Sequence, residues 1–136
     1  MRVVCDEHGN VRGFRYHDGY LDGVLVSDHD RTVHVALRSI DGERRLLTLH
    51  GVTRLHVRNV CEGNIVCDLR MLRADQVAAD EAIREQLAAR YKVPSVPDDM
   101  VVFEISSSYG AELLAICQEA EISDVGVTLA VRSTVP

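Results

Sequence analysis

The chain has 136 residues, enough for one domain that buries about two thirds of its unfolded surface, so no disulfide or structural metal is required for stability. Hydrophobic residues make up 46% and charged residues 26%, ordinary globular proportions, and no apolar run is long enough to cross a bilayer. The formal net charge of -6 opposes binding to phosphate backbones, which argues against a nucleic-acid partner and leaves a basic protein partner open.

The first residues, Met-Arg-Val-Val-Cys-Asp-Glu-His, lack the apolar core of a signal peptide, so a cytoplasmic location is expected. There the four cysteines, Cys5, Cys61, Cys67 and Cys117, are expected to be reduced. All four read as small core residues, which the place of Cys67 and Cys117 in apolar strand patterns supports. No CxxC pair is present.

The first third is the most informative. Phe14-Arg-Tyr-His-Asp-Gly-Tyr-Leu-Asp-Gly-Val-Leu-Val26 carries two Asp-Gly turn signals among aromatic and aliphatic residues. It predicts a strand over 11–16, a turn, and a strand over 20–27, with Tyr16, His17, Asp18 and Tyr20 near the turn. Asp28-His-Asp-Arg31 separates this from a strand over 32–40, where Val33, Val35 and Leu37 alternate with His34, Ala36 and Arg38. Asp41-Gly42 is the strongest hairpin signal and leads into a strand over 43–50. Gly51 and Glu62-Gly-Asn64 bound strands over 52–59 and 64–72. The basic stretches at Arg44-Arg45 and Arg54 to Arg58 read as solvent sides of these strands.

Ala74 to Tyr91 differs. It is rich in helix formers, Ala79, Ile83, Leu87 and Tyr91 recur every four residues, and Asp75 could cap the start. One long helix is expected, ended by Val93-Pro-Ser-Val-Pro97. Strands follow over 100–107, 111–118 and 125–132, with Ser106-Ser-Ser-Tyr-Gly110 as the turn between the first two. Helices do not alternate with strands, so a parallel α/β fold is disfavoured. The expectation is one domain over 1–136, α+β and mainly β: an antiparallel sandwich or partial barrel with one long helix.

Four groups of residues could carry chemistry. His17-Asp18 could serve as base or metal ligand, but Asp18-Gly19 is also explained by the turn, and adjacent strand residues point to opposite faces. Asp28-His29-Asp30 with His34 has the donors for a divalent cation, without recognised ligand spacing. His50 and His56 could face each other across a ladder. Ser106, Ser107 and Ser108 lack the elbow of a serine nucleophile. No P-loop, GxGxxG, HExxH or EF-hand loop is present. No catalytic residue, metal site or cofactor is assigned. Tyr16, His17, Asp18 and Tyr20 are taken as a candidate binding segment, since tyrosine combines apolar area with a polar tip.

At Phe14-Arg-Tyr-His-Asp-Gly-Tyr-Leu-Asp-Gly-Val24, Leu49-His-Gly-Val-Thr-Arg-Leu55, Asn64-Ile-Val-Cys-Asp-Leu69 and Phe103-Glu-Ile-Ser-Ser-Ser-Tyr-Gly110, the chain resembles a loose group of small bacterial proteins. These open with an aromatic-His-Asp-x-x-Leu motif and carry a later Gly-Val-x-x-Leu segment. Some serve as immunity proteins of polymorphic toxin systems. The resemblance implies a β-rich fold and a binding role, with a toxin as partner, and supplies no catalytic residues. The helix over 74–91 departs from the group's pattern. The expected function is therefore a non-enzymatic cytoplasmic interaction protein. The alternative is a small-molecule or metal-dependent enzyme with its site near His17 and Asp18. A sheet-rich domain must also protect its edges, so a homodimer is expected, through the strand over 125–132 or another edge.

Overall fold

Alternation of apolar and polar residues produces strands with one wet face. In β2 (Thr32–Arg38), Val33, Val35 and Leu37 are buried while His34, Ala36 and Arg38 are half-buried. A computed structural model describes residues 1–93 and 95–125. Around β2 it places β1 (Tyr20–Ser27), β3 (Arg44–His50), β4 (Arg54–Arg58), β5 (Ile65–Arg73), α1 (Ala74–Ala78), α2 (Glu81–Tyr91), β6 (Val101–Tyr109), β7 (Glu112–Cys117) and β8 (Glu119–Asp124). The architecture is α+β and mainly β, and its strand pairs are antiparallel.

The strands form one sheet in the order β4-β7-β6-β5-β1-β2-β3-β8. Its two ends are joined by the chain itself. β3 runs into β4 through three residues, Gly51 to Thr53, and β7 runs into β8 through Gln118. Two hydrogen bonds carry the ladder across the bend: Gln118 N–H to His50 O and Thr53 N–H to Ile116 O, both 2.9 Å. The sheet therefore curls into a partial barrel. Its inside holds Val33, Val35, Leu37, Leu47, Leu49, Val66, Leu69, Phe103, Ile105 and Leu113. On the outside of β6 and β7, α1 and α2 cover a second cluster of Leu72, Val77, Ile83, Leu87, Val102, Leu114 and Ile116. Neighbours on β6 feed both clusters, with Val102 turned toward the helices and Phe103 toward the barrel.

Several expectations are corrected. Residues 11–16 form no strand; they belong to a looped N-terminal segment stitched to β5 by Val11 N–H to Leu69 O, 2.9 Å, and by the isolated Asn10–Arg70 bridge. The segment runs along β5 ahead of β1, with Asp18 N–H bonded to Val66 O at 3.0 Å, and Phe14 within it is buried. The single long helix is two. Ala79 ends α1 and Asp80, in extended conformation, starts α2 by accepting from Ile83 N–H at 3.1 Å. The break lets Val77, Ile83 and Leu87 all reach the sheet, whereas Ala79 is exposed. Arg73, not Asp75, is the N-cap of α1, its N–H held by Gln76 Oε1 at 2.9 Å. Ser106 to Tyr109 continue β6, and the reversal falls at Gly110. β8 was not foreseen, and the expected strand over 125–132 lies outside the described residues apart from Val125, which is not in a strand.

The Asp41-Gly42 hairpin between β2 and β3 is as expected, with Ser39 N–H bonded to Glu43 O at 2.8 Å and Gly42 at φ 87. Asp22-Gly23 is a bulge inside β1, where the register against β2 shifts between Leu21 and Gly23. Of the cysteines, Cys117 is buried and its thiol is pushed up to about 12 by that burial. Cys5 and Cys67 are half-buried and Cys61 is exposed, so the core-residue reading holds for Cys117 only. No helix among the described residues is long and apolar enough to cross a membrane.

Candidate functional site

The Tyr16 to Tyr20 segment enters β1 through a tight turn. Gly19 N–H bonds Tyr16 O at 2.8 Å and Asp18 takes φ 61, a left-handed conformation that Asp tolerates. His17 and Asp18 are exposed, while Tyr16 and Tyr20 are half-buried. Tyr16 packs against the barrel core, and burial, with help from Asp68, raises its hydroxyl. His17 Nδ1 lies 2.8 Å from Cys67 O and its Nε2 lies 3.8 Å from Asp18 Oδ1. The carbonyl contact first and Asp18 second hold the imidazole above its ordinary value. Tyr20 is covered by the Arg38 guanidinium, 4.3 Å from the ring centroid, and Arg38 is gripped by both oxygens of Asp22 at 3.1 and 3.2 Å.

Half-burial and one cation–π contact bound the structural weight of Tyr20. Tyr20→Ala is expected to cost roughly 1–2 kcal/mol, below the value for a wholly enclosed aromatic. Urea midpoints of variant and wild type measure it. A loss as large as that of a core phenylalanine would make Tyr20 a core residue and remove it from any binding surface.

Folding brings Cys67, Asp68 and Ser106 up to His17. Asp68 N–H donates to Ser106 Oγ at 3.1 Å, and Ser106 Oγ–H donates back to Asp68 Oδ2 at 3.3 Å. A thiol, an imidazole and a carboxylate thus share one exposed corner. Their electrostatics oppose thiol chemistry: desolvation raises the Cys67 thiol and the nearby Asp68 and Asp18 charges raise it further. A nucleophilic cysteine needs the reverse shift.

The other sequence candidates are dispersed. Asp28, His29 and Asp30 form an exposed turn, while His34 stands in β2 with Nδ1 3.1 Å from Thr48 Oγ1. His50 and His56 do not face each other. β3 pairs with β8 and β4 with β7, because Gly51 to Thr53 bends the chain onward instead of reversing it. His50 Nε2 meets Glu121 Oε1 at 2.8 Å. Ser107 Oγ donates to Ile65 O at 3.0 Å. Among the described residues, no three His, Cys, Asp or Glu side chains gather as a metal-binding group.

A groove of about 300 Å³, not anticipated from sequence, lies between α2 and the outer faces of β4, β6 and β7. One cross-strand row forms its floor, His56 beside Leu114 and Leu114 beside Glu104; Glu104 is in turn paired with Arg70 on β5, behind the groove. Gln86 and Arg90, one helical turn apart on α2, line it from above. Glu104 is 7% exposed. Its Oε1 accepts from Arg70 Nε at 3.0 Å and Nη2 at 2.7 Å, and Gln86 Nε2 reaches its Oε2 at 3.4 Å. Arg70 also bonds Asp80, the α2 cap, at 3.2 Å. This buried network ties the helix to the sheet. Arg58 is committed to Glu112 at 2.7 Å. His56 Nε2 is buried and has no hydrogen-bond partner among the described residues. The one local sequence hint was Glu104, a carboxylate inside the apolar run Val101-Val-Phe-Glu-Ile105.

No protein-family model matches the chain, and no curated protein matches it significantly. A crystal structure of an uncharacterized protein from Neisseria gonorrhoeae is similar, with a TM-score of 0.50 and 8% identity over 81% of this chain and 94% of that one. At that identity the likeness concerns the fold alone.

Proposed function

We propose that the chain is a non-enzymatic binding protein whose partner is another protein, docked along the free edge of β1. The observation that carries this reading is the state of that edge. β1 pairs with β2 along its length but with β5 only at Tyr20, opposite Ile65. Beyond Leu21, no strand among the described residues pairs with that side, and Leu25 and Val26 are 65% and 55% exposed. An unpaired edge with apolar side chains is a template for an added strand. Exposed Asp28 and Asp30 just past it, with the overall charge of -6, favour a basic partner and would speed encounter. In the finer form of the proposal the partner is a toxin and the chain its immunity protein, as the motif resemblance implies.

The test compares wild-type bait with a Leu25→Lys, Val26→Lys double variant in affinity capture at low salt. A protein retained by the first and lost from the second is expected, because lysine blocks strand addition at an edge. Capture of nothing by either, or of the same set by both, would remove the proposal. A second copy of the chain is the competing occupant. Light scattering separates it: a dimer mass in wild type that falls to the monomer in the double variant means homodimerisation through this edge.

A further inference from the structure

We propose that the groove between α2 and strands β4, β6 and β7 binds a small carboxylate carrying a neighbouring hydrogen-bond donor, such as an α-hydroxy acid. This site is separate from the β1 edge. The first support is His56. A buried polar atom without a partner costs stability, and nearly all such atoms in folded proteins are satisfied. His56 Nε2 is buried and unpartnered among the described residues, and His56 lines the groove. The second is Arg90, which lines the same groove, is exposed, and has no hydrogen bond or ion pair among the described residues. A carboxylate that reaches His56 Nε2 in its protonated tautomer while pairing with the Arg90 guanidinium would satisfy both groups, and charge-assisted bonds of this type are short and strong.

The remaining groups set the rest of the ligand. Arg58 is occupied by Glu112, and Arg70 by Glu104 and Asp80, so neither is free for a second negative charge. Glu104 and Glu112, both lining the groove, oppose a dianion such as phosphate. They favour a single negative charge with an O–H or N–H beside it. Among the described residues, Glu104 Oε2 is held only by Gln86 at 3.4 Å and retains acceptor capacity for that donor. A volume of about 300 Å³ suits a molecule of a few heavy atoms. A metal ion fits poorly, since the arginines surround the floor and no three ligating side chains converge among the described residues.

The probe is glycolate, with acetate and inorganic phosphate as controls, titrated into the full chain at constant ionic strength. Long-range proton–nitrogen spectra follow the imidazole nitrogens of His56. Glycolate is expected to shift them saturably, acetate more weakly for want of the donor, and phosphate without saturation. Arg90→Gln is expected to weaken glycolate roughly tenfold or more, the scale of one charge-assisted hydrogen bond. Because Arg90 is exposed, its thermal midpoint should match wild type, which separates lost binding from lost folding. No saturable shift up to concentrations on the order of 50 mM, past the range where so small a ligand binds, overturns the proposal. So does an affinity unchanged in Arg90→Gln, or phosphate binding more tightly than glycolate.

Discussion

Asn64→Ala is expected to destabilise the protein by about 3 kcal/mol, through polar groups and not through packing. Asn64 is 7% exposed. Its Oδ1 accepts from Cys61 N–H and Ala111 N–H, both at 2.9 Å, and its Nδ2 reaches Leu21 O at 3.4 Å. One amide thus joins the end of the β4–β5 link, the β6–β7 reversal and the start of β1. Alanine would leave the buried Ala111 N–H without a partner, and this term dominates because water cannot reach it. Cys61 is exposed, so its N–H can bond water at lower cost. The crowding is tight at Gly110, where φ is 91 and a Cβ would collide with Asn64 Oδ1. Urea unfolding measures the total. Hydrogen exchange at the Ala111 amide locates it, and protection there should fall. A loss below roughly 1 kcal/mol with Ala111 still protected would show that another group satisfies the turn.

Phe103→Ala is expected to be worse, on the order of 4 kcal/mol, because it leaves a hole the barrel cannot close. Phe103 is fully buried at 0% exposure and is among the largest enclosed side chains. It sits on β6, a strand paired on both sides by β5 and β7, so the backbone around the cavity is held by ladders. The loss approaches the lower end of a small domain's stability, about 5–15 kcal/mol, so the variant should unfold at a markedly lower temperature. Phe103→Leu keeps most of the volume and should recover more than half of the loss. Equal denaturation midpoints for the alanine variant and wild type would contradict the placement of Phe103 in the barrel interior.

The proposed edge and the proposed groove differ in how far sequence alone could reveal them. The free side of β1 follows from which strand it lacks, and the apolar run Val24 to Val26 carries no such information. The groove depends on His56, Glu104, Glu112 and Arg90, which are distant in sequence and meet because β4, β7 and β6 lie side by side under α2. Tyr16, His17, Asp18 and Tyr20 were legible as a turn because Asp-Gly is a local signal. Cys67, Asp68 and Ser106 join them only through the β5–β6 pairing.

The sequence by itself determined the elements whose signals are short-range. Alternation in Val33 to Leu37 and in Ile65 to Met71 specified strands, Asp41-Gly42 specified a hairpin, and Ala74 to Tyr91 specified helix. Tertiary structure decided what depends on distant partners. β8 has only Ala120 and Ile122 as buried apolar residues, and it stands as a strand because β3 offers it a ladder. Residues 11–16 look strand-like but make no continuous ladder, since the chain meets β5 only at intervals, through the Asn10–Arg70 bridge and Val11 N–H to Leu69 O, before β1 begins. The helix breaks at Asp80 because its side chain can cap α2 while bonding Arg70 from the sheet, a contact no local pattern encodes. Periodicity reports which face of a segment is apolar. It does not say which other segment buries that face, and the barrel closure through Gly51 and Gln118 sets that choice.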